Sequence, residues 1–227
     1  MGRDNQPRER QKRDLARKKG NRAKYDRLLI VSEGSKTEPN YFGEIRAQLR
    51  LHSANVVVQP SDWGTAPDQV VRYARSLFEN GDAARQVQPR AFEKVFAVFD
   101  RDDHDTYYQA LDMAQSWNKR LKNIDNKLIE FHAIASVPCF ELWLLLHFEE
   151  IRAPIGRDEV YQRLRRHLPD YDKGRVGAYA ETRERIDQAR ARATALAERF
   201  SPFTEPEPYT GIVELVDNLL ALGGSHR

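Results

Sequence analysis

The chain has a single cysteine, Cys139, in 227 residues. That excludes an internal disulfide and any zinc site built mainly on thiolates, and it fits a reducing compartment. Long apolar runs are missing as well. No segment approaches the roughly 20 residues that a membrane span needs, and the N-terminus is basic and polar without an apolar signal core. There is no internal repeat. The expectation is a cytoplasmic protein without a membrane partner. Apolar side chains, in contrast, make up 40% of the residues, enough at this length to bury a real core.

Net charge is also scarce at +3, but it is unevenly placed. Residues 1–27 hold eleven Lys or Arg against Asp4, Glu9, Asp14 and Asp26, a surplus of +7 that leaves −4 for the other 200 residues. A basic arm of this kind binds phosphates through counterion release. It fits a solvated tail equally well.

Beyond the arm, strand-like and helix-like segments alternate. Leu28 to Ser32 is an uninterrupted apolar run, as in a strand covered on both faces. Thr37, as an N-cap ahead of Glu38 and Pro39, predicts a helix to about Leu51. Asn55 to Gln59 reads as a second strand, and a helix beginning at Thr65 to Asp68 carries Val70, Val71, Ala74, Leu77 and Phe78 at helical spacing. Lys94 to Phe99 is the third strand, Thr106 to Leu121 a helix, and Leu128 to Ala135 the fourth strand. Repeated strand–helix units predict a parallel α/β sheet of about four strands flanked by helices. Residues 138–148 are apolar nearly all round and predict a buried helix. Helices over Arg157 to His167, Glu181 to Phe200 and Thr210 to Leu222 form a C-terminal extension. The chain thus divides into an arm (1–27), a core (28–150) and a helical extension (151–227).

The third strand runs straight into Asp100, Asp102, Asp103 and Asp105, four carboxylates within six positions. Ligands bind at the carboxyl ends of strands in open parallel sheets. Acids gathered there repel one another unless a cation compensates, and Mg²⁺ (or Mn²⁺) prefers their oxygens. Glu33, after the first strand, joins Asp100 and Asp102 if those strands are neighbours, and it serves either as a ligand or as a proton-transferring group. Asp105, before Thr106, fits a helix N-cap instead. Glu33 also fits a surface pair with Lys36. Glu141 is the anomaly of the apolar segment and is open between a buried structural acid and a site member. His104 and His147 read as hydrogen-bonded structural histidines. Gly34-Ser-Lys-Thr37 lacks the Gly-Lys pair and the earlier glycine of a P-loop, which excludes a nucleoside-triphosphatase of that type.

Leu29-Ile-Val-Ser-Glu-Gly-Ser-Lys-Thr-Glu-Pro-Asn-Tyr-Phe42, Phe99-Asp-Arg-Asp102, Pro138-Cys-Phe-Glu-Leu-Trp-Leu-Leu-Leu-His-Phe148, Tyr171-Asp-Lys173 and Pro202 to Tyr209 together resemble the RloB-like family, in order over most of residues 28–222. The basic arm lies outside the resemblance. It implies a Toprim-like (Rossmann-like) core and a gene setting of phage defence. Glu33, Asp100 and Asp102 fall on the metal-dependent phosphoryl-transfer positions, and Asp103 is an extra acid beside them. Glu141 and Lys173 sit in family blocks without an established role. The implied activity is phosphodiester cleavage of RNA, transfer RNA included, or of DNA, with RNA favoured. Lys36 and Lys173 are candidates for the scissile phosphate, and Arg163, Arg166 and Arg185 for the nucleic-acid backbone. The alternative is a non-catalytic module that binds nucleic acid or a regulatory partner from a defence locus. A further reading makes segment 138–148 and the C-terminal helix a homodimer surface.

Overall fold

A computed structural model describes residues 26–101, 104–203 and 208–224. Four parallel strands, β1 (Leu28–Ser32), β2 (Val56–Pro60), β3 (Lys94–Asp100) and β4 (Glu130–Val137), lie in the spatial order β2-β1-β3-β4. In register, Ile30 of β1 stands between Val58 and Phe96, and Ser32 stands beside Val98. The chain therefore builds outward from β1 in one direction, then crosses back to the other side. The carboxyl ends of β1 and β3 flank that reversal, where a doubly wound sheet leaves a crevice.

Both sheet faces are covered. α1 (Thr37–Gln48) supplies Tyr41, Phe42 and Ile45 to one face, against Leu28, Ile30 and Phe96. α2 (Pro67–Asn80) and α3 (Tyr107–Trp117) cover the other, against Leu29, Val31, Val95 and Phe99. Alternate residues of β1 and β3 thus enter different cores, which is why these strands show no polar alternation.

The segment after β4 forms a short helix, α4 (Glu141–Leu145), every residue of which is buried. Trp143 is enclosed completely and donates its indole N–H to Tyr41 Oη at 2.8 Å. Around it pack α5 (Arg157–His167), α6 (Ala178–Thr182), a 3₁₀ turn (Arg183–Arg185), α7 (Ile186–Ala197) and α8 (Ile212–Gly224). Ile212, Leu215, Val216 and Leu219 of α8 are inaccessible. The apolar surface of 138–148 and of the C-terminal helix, which reads as a dimer surface in the sequence, is used within the chain's own core.

Several elements differ from expectation for local reasons. A fifth strand, β5 (Tyr209–Thr210), pairs antiparallel with β4 through Ser136 and Val137. Two residues are too few to leave a periodic signal. α3 stops at Trp117 rather than Leu121 because Lys119 takes a left-handed conformation (φ 55) and its N–H turns back to the Ile129 carbonyl. β4 starts two residues late, at Glu130, where its pairing with Lys94 begins. The helix expected over 181–200 is broken by the 3₁₀ turn. Asp105 is not the cap of α3: Thr106 precedes its first residue, without a side-chain capping bond. Thr37 lies inside α1, and its hydroxyl accepts the Gly174 N–H at 3.0 Å. No helix of the described residues is long and apolar enough to cross a membrane.

His147, behind α4, is structural. Its Nδ1 lies 3.0 Å from the Trp143 carbonyl oxygen, and its Nε2 is buried without a partner among the described residues. Burial pulls its pKa down to about 4, against a small opposing effect of the Trp143 and Leu144 carbonyls. The unfolded chain protonates this residue near the ordinary histidine value and the folded one does not. The stability it supports is therefore present above about pH 6.5 and lost as pH falls toward 4, by about 3 kcal/mol. Urea unfolding at stepped pH is expected to show that loss, and His147→Phe to flatten it. An unchanged slope in the variant removes His147 as its source.

Candidate active site

Two hydrogen bonds, one between backbones and one from backbone to side chain, hold the ends of β1 and β3 together beyond the ladder. Glu33 N–H donates to the Val98 carbonyl at 2.9 Å, and Asp100 N–H donates to Glu33 Oε2 at 2.9 Å. The carboxylate after the first strand thus grips the last residue of the third. Asp100 is 5% exposed, and its Oδ2 lies 3.3 Å from Arg157 Nη2 at the start of α5.

Two more acids join them. Glu141 is 1% exposed, and its Oε1 accepts the Tyr171 hydroxyl at 3.0 Å. Its Oε2 has no hydrogen-bond partner among the described residues. Glu38, in the first turn of α1, is also buried with an unpartnered Oε2. That oxygen lies directly against Gly34, where any side chain would displace it.

The four carboxylates act on one another. Burial pushes the Asp100 carboxyl well above the ordinary range, Glu38, Glu33 and Glu141 push it further, and Arg157 opposes them. Burial likewise raises Glu38 to about 7, with Glu141 and Glu33 adding and Lys173 subtracting. Burial and the Glu141 charge raise the Tyr171 and Tyr161 phenols. Cys139 is pushed up by burial, then by Glu141 and Asp100, and is inert as a nucleophile.

Lys173 reaches this cluster because its loop is clamped to the β1–α1 turn. Asn40 Nδ2 donates to the Gly174 carbonyl at 3.0 Å, and Gly174 packs its Cα on the Lys36 stem. Gly174 has φ +84, and a Cβ there would stand 2.9 Å from Lys36 carbons. Beside the acids opens a cleft of about 760 Å³ lined by Arg157, Arg165 and Lys173, by Asp158 and Asp172, and by Tyr161, Gln162 and Tyr171.

Of the residues singled out in the sequence, Glu33, Asp100 and Glu141 belong to this cluster, and Lys173 stands at its edge. Lys36 is exposed at the start of α1. Asp102 and Asp103 lie outside the described residues. Arg163 is ion-paired with Glu149 and Glu159. The Arg185 guanidinium sits 5.1 Å above the Phe148 ring, and Arg166 is exposed on α5. Sequence reasoning missed Glu38 and Arg157. An acid in a helix's first turn is the ordinary complement of the helix dipole, so Glu38 gave no warning of its burial.

The donor set is all oxygen and mutually repelling, which suits a hard divalent cation such as Mg²⁺. Two buried carboxylate oxygens without partners, on Glu38 and Glu141, fit that requirement. Among the described residues, however, no three His, Cys, Asp or Glu side chains are spaced as a finished metal site.

In an NMR pH titration of the glutamate carboxyls, one resonance is expected to titrate near pH 7 and to vanish in Glu38→Gln. In Gly34→Ala the added methyl displaces the flexible end of Glu38, so that resonance should return toward the ordinary range while the melting temperature stays near the parent's. A titration near pH 7 that persists in both variants removes Glu38 as its source.

No curated protein and no solved structure matches the chain significantly. A family model described as RloB-like protein matches residues 28–219, which spans β1 through most of α8. The chain belongs to the RloB-like family.

Proposed function

We propose that the chain is a divalent-metal-dependent nuclease that hydrolyses phosphodiester bonds, with RNA as the favoured substrate, in an anti-phage response. One observation carries this reading: Glu33 and Asp100 are joined at the sheet's reversal point, and a cleft bearing Arg157, Arg165 and Lys173 opens beside them. Acids for a cation and bases for phosphate lie side by side.

Glu33, Asp100, Glu38 and Asp102 would hold Mg²⁺ or Mn²⁺, which when bound stabilises charge on phosphate oxygens and acidifies a coordinated water. Glu33 also fixes the position of Asp100 through its backbone N–H. Glu38, with its carboxyl near neutral pKa, can hold or release a proton at working pH. Arg157 and Lys173 place positive charge where a phosphate enters, and Tyr171 orients Glu141. Transfer RNA is one candidate substrate, and a partner from the same locus is a candidate regulator.

A second reading, a non-catalytic nucleic-acid or partner-binding module, is favoured by the Asp100–Arg157 contact, in which a guanidinium already stands against the buried acid. Incubation of the purified protein with total RNA and with plasmid DNA, with and without Mg²⁺ or Mn²⁺, separates the two. Cutting is expected only with metal. Glu33→Gln and Asp100→Asn are expected to lower it by on the order of a thousandfold, several kcal/mol of transition-state stabilisation. Both variants should melt near the parent temperature, since Asp100→Asn removes a buried, repelled carboxyl and Glu33→Gln keeps a side-chain oxygen to accept the Asp100 N–H. Cutting by Asp100→Asn at the parent rate overturns the site. Metal-independent binding without cutting favours the module.

A further inference from the structure

On the opposite flank of Asp100 from the cleft, a column of aromatic rings runs from the core to the surface. Phe99 of β3 meets Tyr107 edge-to-face at 6.0 Å, and Tyr107 meets Tyr108 edge-to-face at 5.2 Å. Tyr108 then stacks on Phe203, with centroids 6.3 Å apart and planes 20° from parallel. The first two rings are buried, whereas Tyr108 is 37% and Phe203 50% exposed. Phe203 is held in place, because the Tyr107 hydroxyl donates to the Pro202 carbonyl at 2.9 Å and the Phe203 N–H donates to Ser201 Oγ. Arg101, next in sequence to Asp100, lies with its guanidinium carbon 5.7 Å from the Tyr107 ring and 5.9 Å from the Tyr108 ring.

Single exposed apolar residues need no explanation. Here two aromatic faces are braced from the core and set beside an arginine, one residue from the proposed reacting centre. A duplex keeps its bases inside and offers an aromatic face nothing to stack on, whereas an unpaired base has a free π-face.

We propose that Tyr108 and Phe203 form a stacking platform for an unpaired base of a single-stranded nucleic acid. Arg101 holds the adjoining phosphate, and the strand continues across the carboxylates into the cleft that carries Arg157, Arg165 and Lys173. The substrate class is thus unpaired strand or loop rather than duplex. The placement across the carboxylates rests on the nuclease reading, but recognition of the base does not.

The test is equilibrium binding by fluorescence anisotropy, in EDTA so that nothing is cut. The probes are fluorescein-labelled single-stranded oligoribonucleotide and oligodeoxyribonucleotide of one mixed sequence, and the blunt duplex of each. Tyr108→Ala with Phe203→Ala is expected to weaken single-strand binding roughly ten- to a hundredfold and to leave duplex binding unchanged. Tyr108→Phe should keep parent affinity. So should Leu128→Ala, a truncation of a 58% exposed side chain just ahead of β4, at the amino ends of the strands and so at the opposite end of the sheet from Tyr108. The loss is expected on both sugars, and a loss confined to one still upholds the platform and names the strand it serves. A probe carrying 2-aminopurine should be quenched by the parent and not by the double variant.

The proposal is overturned if the double variant binds single strands as the parent does, or loses single strand and duplex equally. If the binding split appears but no metal-dependent cutting does, the nuclease reading fails and the platform stands. If cutting and single-strand binding both survive in the double variant, the platform fails and the nuclease reading stands.

Discussion

The hydrogen bond from the Asp100 backbone to the Glu33 carboxylate is the contact on which the site depends. It forms only because β1 and β3, separated in sequence by a whole strand and two helices, are immediate neighbours in register. It converts two strand ends into one wall. Glu38 and Glu141 then face that wall from α1 and α4, so four carboxylates share a largely buried volume. Like charges at low dielectric are costly, and the fold does not remove the cost. It contains it, with apolar cores on both faces of the sheet and completely buried strand residues beneath the acids.

The division of labour along the chain follows from this. All four acids precede residue 150, while Arg157, Arg165 and Lys173, with Tyr161 and Tyr171, come after it. The C-terminal helices therefore finish the site as well as covering the core. α5 brings Arg157 to Asp100, and the loop ending at Gly174 is tied down by Thr37 and Asn40. The buried helix α4 links the halves. Trp143 is hydrogen-bonded to Tyr41 of α1, and Glu141, two residues earlier, is bonded to Tyr171.

Glu33 and Asp100 were legible in the sequence because each follows an unbroken apolar run, and in a parallel sheet such positions gather at one edge. The adjacency of their strands was not legible, since it depends on the crossover order that only the assembled sheet displays. Glu38 was hidden for another reason. It looks like any acid in a first helical turn, and its burial is produced in part by the loop around Lys173, more than a hundred residues away. Arg157 announced itself only as a helix start. Of the basic residues marked for a nucleic-acid backbone, Arg163 lies in an ion-pair network with Glu149 and His167, where local acids compete for its charge. Charge runs on helices carry no directional information, whereas strand ends do.

The balance of charges at the crevice bears on how a polyanion is admitted. Four carboxylates facing one volume repel an approaching phosphate, and at short range in a partly buried setting that repulsion is several-fold stronger than in water. Arg157 offsets part of it at Asp100, and Lys173 offsets part of it at Glu38. Two cations against four acids leave a deficit, which protonation can reduce because the pKa of Glu38 is already near neutrality. A divalent ion reduces it further and leaves the arginines turned toward the cleft. On the nuclease reading, cation and phosphate are therefore coupled ligands at the carboxylates, each lowering the electrostatic cost of the other there, while a base bound away from the acids is indifferent to the metal.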